Sequence, residues 1–239
     1  MGHPHPVVAA IEAEADPGRA AEFVRFFQVR PGGYGEGDTF VGVRLSRLRE
    51  LVRPYRREVF DSTAWLPLLR SPIHEHRLSC LVIMADRARA GDLAERAMIT
   101  DHYLADTRWV NNWDLVDASA GQILGRRLLD PDGDRGVLDR LAGSASLWER
   151  RIAMVATHGL ILAGQTADTY RISERLLGDE HDLIHKAVGW MLREAGKRVD
   201  EAELRAFLDR QAPRMPRTAL RYAIERFDPD TRRHYREVR

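Results

Sequence analysis

Four apolar stretches recur along this chain at nearly constant spacing: LSCLVIMA from Leu78, LVDASAGQIL from Leu115, RIAMVATHGLI from Arg151 and KAVGWML from Lys186. Their starts lie 37, 36 and 35 residues apart, and each is followed by a shorter apolar-periodic segment. A unit of that length holds two helices and a turn, and one such pair cannot bury its apolar face alone. Stacking successive pairs solves the problem, so the period favours a solenoid over an ordinary globular bundle. The expected fold is all-α: a right-handed superhelical solenoid of antiparallel HEAT/armadillo-like helix pairs, forming one domain over residues 1–239.

Local signals agree. Apolar residues recur at three and four throughout, and no stretch shows the clean two-residue alternation of a half-buried strand. The spacing predicts helices over 4–14, 17–28, 46–57, 61–69, 74–88, 92–104, 112–128, 134–142, 147–163, 168–177, 181–197, 200–210 and 216–227, with a short piece after Pro229. Asp16–Pro17–Gly18 and Asp130–Pro131–Asp132–Gly133 are breaks. Ser46 and Ser146 are the expected N-caps, the second with Glu149 at the capping-box spacing. Asp200, followed by Glu201 and Glu203, is an acidic helix start.

Several function classes drop out. No apolar run approaches the roughly 18–20 residues that cross a bilayer, and the first residues carry no secretory signal, so a cytoplasmic protein without membrane attachment is expected. Cys80 is the only cysteine and sits in an apolar run, as a buried small side chain would. His74–Glu75–His76 is too closely spaced for a helical metal pair, and His3, His5 and the distal histidines offer no metal spacing. RPGGYGEGD, residues 30–38, lacks the ending of a phosphate-binding P-loop and follows no strand, so it reads as an ordered loop. Its Tyr34, Glu36 and Asp38 are placed to cap helix ends or steer a ligand. No metal or cofactor is implied, and a monomer is expected.

Charge is informative in its distribution. Net charge is only +1, yet the segment from Arg205 to Arg239 carries ten arginines against five acidic residues. Its Arg217 and Arg221 belong to a basic edge. Arg44 and Arg47 near a helix start are candidate phosphate contacts.

RWVNNWDLVD, residues 108–117, concentrates chemistry. On a helix starting near Asn112, Trp113 and Asp117 share a face one turn apart, while Asp114 is rotated by roughly 100°. An acid backed by an aromatic wall suits a cationic ligand. Asp114 has other possible duties, pairing with Arg151 or capping backbone donors, and a structural ion pair between repeats is the plain alternative for Asp117. Trp109 adds an aromatic one turn earlier. In SLWERRIAM, an arginine at a helix start works against the local dipole, so Arg151 calls for an acidic partner or a phosphate. In DLIHKAVGWMLREAGKR, Lys186, Trp190, Arg193 and Lys197 form one ridge that fits a phosphate backbone with a stacking surface. Gly189 beside Trp190 permits close approach, and His185 is read as structural.

These motifs carry a family likeness. NNWDLVD, WERRIAMV, KAVGWMLRE and the closing RTALRYAIERF resemble the DNA alkylation repair family of HEAT-like DNA glycosylases, over roughly residues 20–228. The GGYGEGDTFVGVR segment looks like that of a subgroup with an extended loop before the third helix. The resemblance implies a basic concavity that receives double-stranded DNA with alkylated bases. It implies excision of N3- and N7-alkylated purines, with Asp117 as catalytic carboxylate, Trp113 and Trp190 as its tryptophans and Arg151 beside the lesion. Asn111–Asn112 depart from the family's aromatic-containing approach to Trp113. Pattern alone does not rank Asp117 above Asp114. Two other functions fit the same fold: a non-catalytic module for distorted or branched DNA, and a scaffold for protein partners.

Overall fold

The computed structural model describes residues 5–238; His3 and the first residue of the helix expected over 4–14 lie outside them. The chain divides into two compact units, Met1–Ile123 and Leu124–Arg239. Among the described residues the only β feature is an isolated bridge between Thr39 and Ile73.

The first unit contains α1 (Pro6–Ala13), α2 (Pro17–Phe26), α3 (Leu45–Val52) continued by a 3-10 turn over Arg53–Tyr55, α4 (Ser62–Leu69), α5 (His74–Ala90), α6 (Leu93–Ala105), a 3-10 turn over Thr107–Trp109, and α7 (Trp113–Ser119). The centre of this unit is α5, which packs against α3, α4, α6 and α7. Its residues from His74 to Ala85 are all buried, so its sequence shows little amphipathic stripe. Burial extends to charged side chains, and each is matched. Glu75 accepts the backbone N–H groups of Val41, Gly42 and Val43 at 2.8–3.2 Å, which pins the loop entering α3. Gly42 is required there: its φ is +89°, and a Cβ would meet the Asp16 carbonyl oxygen at 2.3 Å. Cys80 is fully buried, as expected, and burial pushes its thiol well above the usual range.

The second unit contains α8 (Leu124–Arg127), α9 (Gly136–Ala142), α10 (Leu147–Leu162), α11 (Ala167–Leu176), α12 (Asp182–Arg198), α13 (Glu201–Gln211) with a 3-10 turn over Ala212–Arg214, α14 (Arg217–Ala223) and α15 (Pro229–Glu237). Here the stacking of pairs is plain: α10 packs on α8 and α12, α12 packs on α14, and α11 and α13 lie against the first helices they follow. Two glycines set the closeness of that stack. A Cβ on Gly125 would meet the Ala156 carbonyl oxygen at 2.2 Å, and one on Gly189 would meet the Ala219 carbonyl oxygen at 2.4 Å. Gly189 therefore serves contact between α12 and α14, not close approach of a ligand.

Most expected boundaries hold within a few residues. Asp16 caps α2 by accepting the Arg19 N–H at 3.0 Å, and Asp200 caps α13 by accepting the Ala202 N–H at 2.7 Å. Ser146 caps α10 through the Glu149 N–H, while the Glu149 carboxylate accepts the Ser144 hydroxyl. Two expectations need correction. Arg44, not Ser46, occupies the N-cap of α3, and it makes no side-chain cap. The helix expected over 112–128 breaks after Ser119, whose hydroxyl bonds back to the Leu115 carbonyl at 2.6 Å and to Tyr103 at 3.0 Å. Gln122 and Ile123 then turn onto the Ser119 carbonyl before α8 begins. A serine bonding back to its own helix competes with helix continuation.

Candidate active site

The approach to α7 is built by residues far apart in sequence. Asn112, fully buried, caps α7 by accepting the Trp113 N–H at 2.9 Å. Its Nδ2 donates to Asp38 at 3.1 Å. Asp38 also accepts from Arg77 and, at 3.4 Å, from Asn111. The loop over residues 30–38 is thus an anchor for α7. Its Tyr34 hydroxyl donates to the Phe26 carbonyl at the end of α2, and Glu36 accepts the Gly32 N–H. Asp38 is 6% exposed and occupied by these partners, so it does not steer a ligand.

His74, at the start of α5, completes the network. Its imidazole donates through Nδ1 to Asp38 at 3.0 Å and through Nε2 to Asp114 at 2.8 Å. Burial drives an imidazole toward its neutral form, but the hydrogen bonds and charges of Asp114 and Asp38 outweigh that and raise His74 to about 9. Burial likewise works against a charged Asp38, and His74, Arg77 and Asn112 together hold its carboxyl below the ordinary range. By local spacing His74 is only one member of a His–Glu–His run too close for a helical metal pair. Its actual partners sit 36 and 40 residues away, and no local pattern announces them.

An aromatic column runs from this histidine toward solvent. His74 stacks on Phe40 at 4.5 Å, Phe40 on Phe27 at 5.1 Å, and Phe27 on Trp113 at 5.4 Å. Phe26 meets Trp113 edge-on at 5.9 Å and is 63% exposed. Trp113 is half-buried, with its orientation fixed by this stack.

The two carboxylates of α7 differ in duty. Asp114 uses one oxygen on His74 and the other on the Leu115 N–H at 2.9 Å. It contacts a histidine where sequence reading offered Arg151, and it does cap a backbone donor. Asp117, one turn after Trp113, is half-buried, and its charge is felt by the buried Tyr103 hydroxyl, whose pKa is pushed up mainly by burial. Trp109, in the 3-10 turn before α7, is half-buried beneath the exposed Arg108, 5.4 Å from the ring.

The second unit holds the other candidates on adjacent helices. Arg151 on α10 is 4% exposed and donates to the Leu183 carbonyl at the start of α12. Its neighbour Arg150 pairs with Asp179 at 2.5 Å. Trp190 on α12 is half-buried, 6.1 Å from the ring of His158. His185 bonds to the Asp179 carbonyl. The ridge around Trp190 is less basic than its composition suggests. Lys186 pairs with Asp182 at 2.8 Å, and Arg193 with Glu225. Lys197 is exposed at the end of α12. Arg217 is exposed and donates to the Arg236 carbonyl, and Arg221 lies over Tyr222. In the first unit Arg44 is exposed, and Arg47 is matched by Glu14 at 2.6 Å and Glu50 at 2.5 Å. Among the described residues no group of three histidine, cysteine or acidic side chains is placed to hold a metal ion, and no helix is long and apolar enough to cross a membrane.

The family model for DNA alkylation repair enzymes matches residues 7–227. The chain belongs to that family. Its fold is similar to that of a solved structure described as a predicted DNA alkylation repair enzyme from Enterococcus faecalis. The TM-score is 0.69 at 15% identity, over 90% of this chain and 97% of that one. No curated protein sequence matches the chain. As a DNA alkylation repair family member, the protein joins a DNA repair role to an all-helical chain of stacked pairs.

Proposed function

We propose that this protein is a monofunctional DNA glycosylase that hydrolyses the N-glycosidic bond of cationic N3- or N7-alkylated purines in duplex DNA. One observation carries the reading. Of the two carboxylates on α7, Asp114 spends its oxygens on His74 and a backbone amide within the frame, whereas Asp117 shares the helix face of Trp113, the placement that suits a carboxylate acting beside an aromatic wall. Asp117 is half-buried and one turn from a tryptophan that an aromatic stack holds still.

The chemistry asks little more. A purine alkylated at N3 or N7 already carries positive charge and leaves readily, so no strong general acid is required. As the bond lengthens, positive charge develops at C1′ of the sugar, and a preorganised carboxylate stabilises it. The same group orients a water for attack on that carbon. Trp113 offers its face to the cationic nucleotide, an interaction worth about 0.5–2 kcal/mol. Trp190 and Arg151 are assigned to the same reaction by resemblance, as a second aromatic contact and a charge beside the lesion. A hydrolysis of this kind needs no cofactor.

The test is base release from methylated duplex DNA. Asp117→Asn should lower release of 7-methylguanine by about 100-fold or more, the scale of a lost electrostatic stabiliser, with DNA affinity retained. Equal release by wild type and Asp117→Asn would remove the catalytic assignment. Binding of damaged DNA with no release by the wild type would favour the non-catalytic module.

A further inference from the structure

His74 is where two networks of the first unit meet, one polar and one aromatic. The polar network is a closed ring of hydrogen bonds. Oδ2 of Asp38 accepts from Nδ1 of His74 at 3.0 Å and from Nδ2 of Asn112 at 3.1 Å. Nε2 of His74 reaches Asp114 at 2.8 Å, and Asn112 and Asp114 close the ring on α7 by accepting the Trp113 and Leu115 N–H groups. An imidazole whose two nitrogens both face carboxylates donates from both only as the imidazolium. The aromatic network is the column in which the His74 ring stacks on Phe40 at 4.5 Å and lies 5.3 Å from Phe27, against which Trp113 stacks.

Helix α7 depends on such support. It runs for only 7 residues before it breaks, well below the roughly 12–15 at which a helix holds itself in water. Its first turn is therefore held by what it touches. Trp113 opens that turn and Asp117 follows one turn later on the same face, so a rotation or slide of the turn moves both together. His74, Asp38 and Asn112 are all buried, so the ring acts through α7 and not on a ligand. A buried charged network is often no more stable than well-packed apolar side chains of equal volume. What it adds is one defined geometry, because each hydrogen bond fixes direction as well as distance.

We propose that His74 is a positioning residue. Acting from α5 through Asp114 and through the Phe40–Phe27 column, it sets the rotation and depth of the first turn of α7, and so places the Asp117 carboxylate and the Trp113 ring for reaction. The part concerning Asp117 rests on the glycosylase reading; the hold on Trp113 does not. The displacement at issue is small. A misplacement of about 1 Å costs up to about 100-fold in rate, and loss of His74 with Asn112 still bonded to Asp38 should cost less, about 10-fold.

Two measurements on the full chain test this. The first is single-turnover release of 7-methylguanine from methylated duplex DNA at rising protein concentration, corrected for the folded fraction found by urea titration. His74→Gln should lower the maximal rate by about 10-fold and leave the half-saturating concentration within about 2-fold. Glu95→Gln breaks another charged contact of α5, with Arg87 at 2.5 Å, and should change neither. The second needs no DNA: acrylamide quenching of Trp113, isolated by subtracting the emission of matched Trp113→Phe variants. Trp113 is half-buried, so a loosened column should raise its quenching by about 2-fold, the step from half to full exposure. Phe40→Leu interrupts the column, leaves the hydrogen-bonded ring in place, and should raise it too. A His74→Gln rate equal to wild type per folded molecule would overturn the proposal, as would a raised half-saturating concentration at an unchanged maximal rate. If wild type releases no base, the glycosylase reading falls and the quenching decides: unchanged values in His74→Gln and Phe40→Leu overturn the positioning role, and raised values sustain it for Trp113.

Discussion

Replacing His74 with glutamine should change not only how stable the protein is but how its stability depends on pH. In the folded chain His74 is raised from 6.5 to about 9 by Asp114 and Asp38, against the opposing effect of burial. At about 1.4 kcal/mol per pH unit, that preference for the protonated form corresponds to roughly 3 kcal/mol of folding stability. A raised histidine contributes in full below its unfolded value of 6.5, and the contribution is lost as pH climbs through the folded value near 9. Other groups titrate differently. Asp38 is depressed, so its contribution is lost only in acid, below its ordinary 3.8. Cys80 and Tyr103 are raised by burial, so both favour unfolding in alkali in wild type and variant alike. The quantity to measure is therefore the difference between wild type and His74→Gln. Urea unfolding, followed by tryptophan fluorescence in steps from about pH 6 to about pH 10, should show that gap shrinking by roughly 3 kcal/mol. A gap that stays constant over this range would refute the buried imidazolium, and with it the argument that Asp114 is held by a charged partner.

Two further predictions separate the parts of the site from the frame. Asp114→Asn should lower unfolding stability by about 1–3 kcal/mol through the lost pairing with His74, while reducing base release far less than Asp117→Asn does, in parallel denaturation and excision assays. Gly189→Ala should destabilise by about 1–3 kcal/mol or more, because its Cβ would press on the Ala219 carbonyl oxygen and the Tyr222 Cβ. Thermal unfolding with an unchanged midpoint would show that α12 and α14 give way at no cost.

The helices were legible because their information is local. Apolar periodicity placed α5, α10 and α12, and Asp16 and Asp200 marked starts that a cap then confirmed. The break inside 112–128 was not legible, since Leu115, Val116, Ala120, Ile123 and Leu124 keep the apolar pattern running across it. What ends α7 is a hydroxyl pulled between its own helix and Tyr103. The candidate site divides in the same way. Trp113 and Asp117 one turn apart could be read from spacing, whereas Lys186, expected on a phosphate-facing ridge, pairs with Asp182 four residues before it. The duties of Asp38 and His74 depend on a loop meeting a helix 36 residues on, and Arg193 meets Glu225 across 32 residues. Sequence spacing carries no trace of such meetings. For Asp114 that trace was what mattered, because His74 is the distant partner that engages one of its oxygens.

The burial of Cys80 has a consequence for a protein of this family. Reagents that methylate DNA also attack thiolates, and they do so through the ionised sulfur. The only sulfhydryl here is enclosed by apolar neighbours and kept protonated. The folded chain thus offers such electrophiles no ionised thiol, and treatment with a methylating agent should leave Cys80 unmodified until the protein unfolds.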